Sequence, residues 1–156
     1  MFLLILLFPF LGFFSSNLLG RFIGVSGSRF LSTFSIILAF MLSLFAFFES
    51  ALLGSVCTIF FSSWINIELF ITPWSFCFDS LSATMLLVVC GVSSLVHLYS
   101  IEYMLADPHA SRFMGYLSLF TFFMLVLVTS DNFLVMFFGW EGIGLASFLL
   151  ISFWHT

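Results

Sequence analysis

Lysine is absent from this 156-residue sequence, and its only basic residues of fixed charge are Arg21, Arg29 and Arg112. Charged residues make up 6% of the chain, against about 25% in an ordinary soluble domain. Proline and cysteine are nearly as scarce, at three each. Cys57, Cys77 and Cys90 form no C-x-x-C pair and have no histidine at ligand spacing, so no zinc, iron–sulfur or other metal site is expected. They read as small apolar fillers; spacing alone does not decide whether Cys57 and Cys77 are bridged. Met1–Leu19 lacks a basic residue before its apolar run and lacks an arginine-rich face, unlike a secretory or transit leader. It is expected to be a retained membrane helix, of a bacterial inner-membrane protein or of one made inside an organelle.

What the chain does have is apolar surface. It is 63% hydrophobic, and its 26 phenylalanines outnumber all the ionisable side chains. A soluble fold of this length leaves roughly 30% of its unfolded surface in water, so this one must dissolve in lipid. Composition thus excludes a soluble enzyme, a nucleic-acid binder and a disordered linker.

A spanning helix needs about 20 predominantly apolar residues. Five segments are read this way: Met1–Leu19, Phe30–Phe48, Ser80–Ile101, Phe113–Ser130 and Phe133–Trp154. The expected fold class is an all-α integral membrane protein of five transmembrane helices, with an outer-face β-hairpin between helices 2 and 3. Pro9 is tolerable in the first helix, since membrane helices accept such kinks. Gly20 to Arg29 reads as a polar loop. Asp131-Asn132 is so short a break that the last two helices must form an antiparallel hairpin. Between Ser55 and Phe78 the chain is rich in β-branched and aromatic residues, and Ile65-Asn66-Ile67-Glu68-Leu69 alternates with period two, as a strand does. The rival is a sixth span over Ser50–Ile67, which carries no charge. The organisation is therefore 1–54 with helices 1 and 2, 55–78 as the hairpin, and 79–156 with helices 3 to 5. With five spans, Arg21, Arg29 and Arg112 share one face, which the positive-inside rule makes the inner one. Met1, the hairpin and Asp131 then lie outside, and Thr156 inside.

Glu141 is the only formal charge within these spans. At about 1.5 Å per residue it lies roughly 12 Å into the hydrocarbon core. An acid there costs roughly 2.5–3.5 kcal/mol on insertion scales, and such residues commonly mark an ion or proton route. The plainer account is a protonated glutamate that bonds a neighbouring helix. Gly139, Gly142 and Gly144 surround it; small residues let helices approach, and glycine weakens a helix enough for a bend or hydrated break. The spacing G-x-x-G-x-G inside a span is not a nucleotide fingerprint.

His97 shares a helical face with Ser93 and Ser100. It is either a neutral histidine bonded to a neighbouring helix or a proton relay, since histidine titrates near neutral pH. Asp107-Pro108-His109 with Arg112 reads as a solvated turn. Trp140, Trp154, Tyr99 and Tyr103 read as core or interface anchors. A buried carboxylate that cycles needs a cation near it, and the arginines sit at the inner boundary. The partner group is therefore expected from another polypeptide or a continuation of this one.

From Phe78 onward the residues are recognisable. Phe78-Asp79-Ser80-Leu81, the run Ser93 to Ser100, Asp107-Pro108-His109 with Arg112-Phe113, Tyr116 to Met124, Asp131-Asn132-Phe133 and above all Phe138-Gly139-Trp140-Glu141-Gly142-Ile143-Gly144-Leu145-Ala146-Ser147-Phe148 resemble the chain 5 family of NADH–ubiquinone oxidoreductase, the antiporter-like subunits of respiratory complex I. Gly20-Arg21-Phe22-Ile23-Gly24 fits the start of that family. The resemblance covers essentially all 156 residues and is weakest over Phe30–Pro73.

The resemblance implies a membrane-arm subunit, in its N-terminal portion, that contributes to proton translocation coupled to NADH:ubiquinone electron transfer. It implies that Glu141 is the family's intramembrane glutamate, paired with a lysine on a later helix, and that His97 sits where the family has histidine. It places the hairpin between the second and third spans. The flavin, iron–sulfur clusters and quinone would belong to partner subunits, with no cofactor here. Expected partners are other complex I membrane subunits, lipid, and a separate chain carrying the rest of chain 5 with the lysine. The expected location is the mitochondrial inner membrane, or a bacterial plasma membrane. The alternative function is a piece of a multi-subunit cation/proton antiporter without redox coupling.

Overall fold

The computed structural model describes residues 1–154, with Arg21 described by its backbone alone. The expected inner end at Thr156 lies outside the described residues. In chain order, helix α1 (Phe2–Asn17) leads by a short turn into α2 (Gly20–Phe47), which ends in a π-helical turn over Phe48–Leu52. Strands β1 (Cys57–Ile67) and β2 (Phe70–Phe78) follow, then α3 (Ser80–Tyr103), α4 (Ala110–Thr129) and α5 (Phe133–Ile151) with a closing 3-10 turn over Ser152–Trp154.

Among the described residues, four helical stretches are long and apolar enough to cross a membrane: Phe22–Leu52, Ser80–Tyr103, Ala110–Thr129 and Phe133–Trp154. Helix α1, at 16 residues, is about 24 Å long and falls short of a ~30 Å hydrocarbon core. The expected five helices are present, the first as a shorter member packed against α2 and α4. Many large apolar side chains, such as Phe30, Phe45, Val92 and Leu95, remain outward, which in lipid carries no penalty.

Helix α2 starts ten residues earlier than the sequence implied. Gly20–Arg29 is helical, apart from a break at Gly24, where φ is 81° and ψ 166°, a backbone conformation that only glycine adopts readily. Glycine, serine and arginine suggested a loop, but Arg29 and the serines and threonine that follow Gly24 find partners within the fold. Ser28 donates to Val25 O, Ser32 and Thr33 donate to Arg29 O, and Ser35 donates to Ser32 O. Hydroxyls satisfied this way need no water. The Arg29 guanidinium, 9% exposed, donates to Val25 O and to Ile101 O near the end of α3. A cation at a helix C-terminus is favourably placed.

The hairpin is antiparallel, with Cys57 opposite Phe78 and Ile67 opposite Phe70. The sixth-span alternative over Ser50–Ile67 is thereby replaced by a strand. Glu68 and Leu69 form the turn, so the alternation seen in the sequence ran two residues past the strand end. Gly54, at φ +70°, turns the chain from the π-helical segment toward β1. Strand β2 is seated on the bundle. Ser75 Oγ donates to Asp131 Oδ2 at 2.8 Å, Asn132 Nδ2 donates to Pro73 O at 2.7 Å, and Phe76 forms an isolated bridge with Ser130. Trp74 meets Phe138 edge-on at 5.2 Å between ring centroids.

Cys57 and Cys77 are free. Cys57 faces Phe78 and Cys77 faces Thr58, so the two thiols point to opposite faces of the sheet and no bridge forms. Burial, then the Asp79 and Asp131 carboxylates, push the Cys77 thiol above its ordinary value.

These contacts sort the charges by end. Asp79 and Asp131 lie at the hairpin end, while Arg29 lies at the opposite end with the close of α3. Gly20 approaches Ser111 there, beside Arg112 at the start of α4. The described basic side chains therefore share one end, as the sequence implied.

Asp79 opens α3 with a reciprocal cap: its Oδ1 accepts from Ser82 N at 2.7 Å, and Asp79 N donates to Ser82 Oγ at 2.8 Å. The Ser82 amide holds the Asp79 carboxyl below its ordinary range. A lowered carboxyl stabilises the fold above its unfolded value, about 3.9, and this contribution fades as pH falls through the folded value. Asp79→Ala is expected to cost about 1 kcal/mol at neutral pH. Thermal unfolding at pH 7 and pH 3 checks this: the gap between parent and variant narrows in acid, and a constant gap would refute the ionic cap.

Candidate functional site

Glu141 sits in an unbroken helix. The glycines around it do not bend α5 as the sequence suggested; two of them pack it against α4. A Cβ on Gly139 would lie 2.8 Å from Leu127 N and 2.9 Å from Leu127 Cα, and one on Gly142 would strike the Phe123 ring. The face of α5 turned to α4 thus holds Val135, Gly139 and Ala146, all buried. Glu141 is two positions beyond Gly139, about 200° around the helix, so it points away from α4. It is exposed in this chain, together with Phe137, Leu145 and Phe148. Gly144 on that side has nothing within 4 Å of a would-be Cβ. Helix α5 packs on α4 and touches β2, which leaves the Glu141 side free among the described residues. No hydrogen bond or ion pair to Glu141 forms among them.

His97 is the opposite case. It is 1% exposed, enclosed by α3 and α4. Its Nδ1 lies 2.8 Å from Ser93 O, and its Nε2 lies 3.1 Å from Ser118 Oγ on α4. Ser93 Oγ and Thr121 Oγ1 are 2.6 Å apart. Of the expected Ser93–His97–Ser100 face, Ser93 joins this cluster, while Ser100 donates to Val96 O within its own helix. The residues missed by sequence reasoning are Ser118 and Thr121, which only the α3–α4 packing brings to the imidazole. Their four-residue distances from Met114 and Leu117 satisfied them locally and so gave no signal.

Beside this cluster lies an apolar groove of about 450 Å³ between α3 and α4, with Ser93, His97 and Thr121 along it and Leu150 of α5 at its edge. Glu141 does not line it. The structure therefore does not bring Glu141 and His97 together: one faces outward from α5, the other is buried between α3 and α4. No group of three metal-ligating side chains occurs among the described residues. In the α3–α4 connection, Asp107 Oδ1 accepts from His109 N at 2.8 Å, the local bond of an Asx turn.

The bundle and these two ionisable groups define a class: a polytopic helical membrane protein with an acid and an imidazole held within its spanning segments. Residues 64–114 match the family model described as NADH-Ubiquinone oxidoreductase (complex I), chain 5 N-terminus. Over 156 residues the chain is 55% identical to NADH-ubiquinone oxidoreductase chain 5 of Chondrus crispus and 55% identical to that of Arabidopsis thaliana. It is 52% identical over 158 residues to the chain 5 of Allomyces macrogynus. These alignments take in 100% of this chain and 23%, 23% and 25% of the three relatives. Over its whole length the chain is similar to complex I chain 5, and it spans about a quarter of the length of the curated relatives it matches.

Proposed function

We propose that this chain serves as an amino-terminal membrane segment of the chain 5 function in respiratory complex I. There it supplies Glu141 to proton translocation driven by NADH:ubiquinone electron transfer. The observation that carries this is the Glu141 face of α5. A carboxylate at membrane depth is set on a side with no helix against it among the described residues, next to Gly144, where a backbone can come close. Such a group is costly in lipid, so it faces protein or water. A second helix bearing a lysine would occupy that side, and the pair would shift the proton affinity of Glu141 as the cation moves nearer or farther.

That helix corresponds to the length of the relatives lying beyond these 156 residues. It reaches the site on this polypeptide or on a separate chain, beside the other membrane subunits. NADH oxidation, flavin, iron–sulfur clusters and quinone belong in this reading to partner subunits, and the host membrane is the mitochondrial inner membrane. The face with Arg29 and Arg112 is then the matrix side.

Purification through a tag on this chain tests the reading. The expected product oxidises NADH with a quinone acceptor and contains flavin and iron–sulfur absorbance, and its mass spectrum includes a polypeptide with the remaining chain 5 helices. Sodium-dependent proton exchange without those redox groups would overturn it in favour of an antiporter piece. A full-length chain 5 beside this one in the same assembly would remove the separate-chain arrangement.

A further inference from the structure

Helix α5 rests on α4 through Val135, Gly139 and Ala146, with the Phe123 ring of α4 over Gly142. Its Glu141 side is open among the described residues. A further hold on the helix comes from the hairpin, and it is concentrated in four consecutive residues of β2. Asn132 Nδ2 donates to Pro73 O, and Trp74 meets Phe138. Ser75 Oγ donates to Asp131 Oδ2, Asp131 N donates to Ser75 O at 3.4 Å, and Phe76 bridges Ser130.

The Asn132 amide works in two directions. Its Oδ1 accepts from Val135 N at 3.0 Å and so caps α5, while its Nδ2 donates to Pro73 O at 2.7 Å. Val135 N can only donate and Pro73 O can only accept, so the orientation of the amide is fixed. Aspartate or serine would cap a helix about as well. A carboxylate, however, has no hydrogen to give Pro73 O, and a serine hydroxyl reaches less far. Asparagine starts α5 and bolts that start to the hairpin.

The second attachment is deeper. Phe138 lies six residues past Asn132, about 9 Å along the axis. Its ring is edge-on to Trp74 at 5.2 Å and to Phe123 of α4 at 5.9 Å. Trp74 is itself backed by Trp64 of β1 at 5.1 Å. Two attachments at different depths fix both the height of a helix and its rotation about its axis. Glu141 is three residues beyond Phe138, about 60° away around the helix. No rotation of α5 can carry the carboxylate without carrying the Phe138 ring. At a side-chain radius of about 5–6 Å, a rotation of ~20° moves the carboxylate about 2 Å. A misplacement of about 1 Å can cost a reacting group roughly two orders of magnitude in rate.

We infer that Asn132 and Trp74 are positioning residues for Glu141: through them strand β2 sets the height and rotation of α5, and so the point at which the carboxylate meets its partner group. The outer hairpin is thus part of the proton site without touching the proton. The inference rests on the proton-translocation reading above. Spatial continuity from β2 to Glu141 is not by itself energetic coupling, and a cycle of paired substitutions measures that coupling.

The test uses the assembled complex in coupled vesicles, with complex content fixed by quinone-independent NADH oxidation. Asn132→Asp keeps the cap, removes the donor and sets a carboxylate against Pro73 O. It is expected to slow pumping about three- to fivefold, at the low end of what misplacement costs. Asn132→Ser, which adds no charge, should also slow it and serves where the aspartate lowers assembly. Trp74→Leu should slow pumping to a similar degree, and Trp74→Phe, which keeps a ring against Phe138, should recover most of the rate. Phe61→Leu loosens the hairpin at the Phe61–Phe76 pair and touches neither attachment, so it should pump like the parent. The deciding measurement joins Asn132→Asp with Glu141→Asp. Both displace the same carboxylate, so the double variant is expected to pump at about the rate of the slower single one. Independent sites would multiply their losses to within about twofold. A multiplied loss would overturn the inference. So would parental pumping in Asn132→Asp, Asn132→Ser and Trp74→Leu, or a loss in Phe61→Leu equal to that in Asn132→Asp; these outcomes leave the function of Glu141 standing. Parental pumping in Glu141→Gln would instead reject the underlying reading, and the inference with it.

Discussion

Glu141→Gln is expected to abolish most proton pumping, by about tenfold or more, while the complex still assembles. Glutamine keeps the length of the side chain and its hydrogen-bonding end but cannot ionise. Glu141 is exposed and lies on the far side of α5 from α4, because the α4-facing side of α5 is built from Val135, Gly139 and Ala146. The substitution therefore leaves the packing of the five helices alone. Electron transfer should slow too if the two processes are tightly coupled. Glu141→Asp should do less harm, since it retreats by one methylene and keeps the charge. A purely structural glutamate predicts the reverse: glutamine pumps normally, and a bulky apolar replacement harms assembly. Proton-to-electron stoichiometry in reconstituted vesicles separates the two, and a glutamine variant with the parental ratio would remove Glu141 from the mechanism.

What the sequence disclosed about this site was depth and chemistry, not direction. A single acid in an otherwise uncharged apolar run is visible in one dimension, and its place along α5 follows from the rise of a helix. Which side it faces depends on which residues touch α4. The glycines looked like a weakness in the helix, and only the contact with Leu127 and Phe123 identifies Gly139 and Gly142 as a packing surface. The same limit explains Gly20–Arg29. Polar residues there suggested water, but one partner of Arg29, Ile101 O, lies on α3, 72 residues away in sequence, and no local pattern encodes such a bond. Where the signal was local, it was legible. The period-two pattern before Phe78 and the two-residue break at Asp131-Asn132 each specify their structure within a few residues. His97 was half legible: its spacing to Ser93 marked a polar helix face, while Ser118 and Thr121, which decide what the imidazole can do, come from the facing helix.

The glycines of α5 divide into two kinds, and substitution should separate them. At Gly139 the would-be Cβ meets main-chain atoms of Leu127, at 2.8 Å to N and 2.9 Å to Cα. Backbone in the middle of α4 cannot step aside as a side chain can, so Gly139→Ala must push the two helices apart. Overpacking of this kind costs about 1–3 kcal/mol, and Gly139→Val should cost more. The α4–α5 contact is the main one that holds α5 to this chain, so losing it should deplete the assembled complex and lower its unfolding temperature. Gly142→Ala should be milder, because the Phe123 ring can rotate away. Gly144→Ala meets open space in this chain and should leave the α4–α5 pair intact. Because Gly144 shares the Glu141 side, a large residue such as leucine there should weaken the approach of the partner helix and reduce pumping without unfolding the bundle. Complex abundance, melting temperature and pumping, measured across the three positions, give the pattern. A Gly139→Ala variant as stable as the parent would mean that α4 and α5 do not pack this closely, and equal losses at Gly139 and Gly144 would mean that both faces of α5 are closed by the same neighbours.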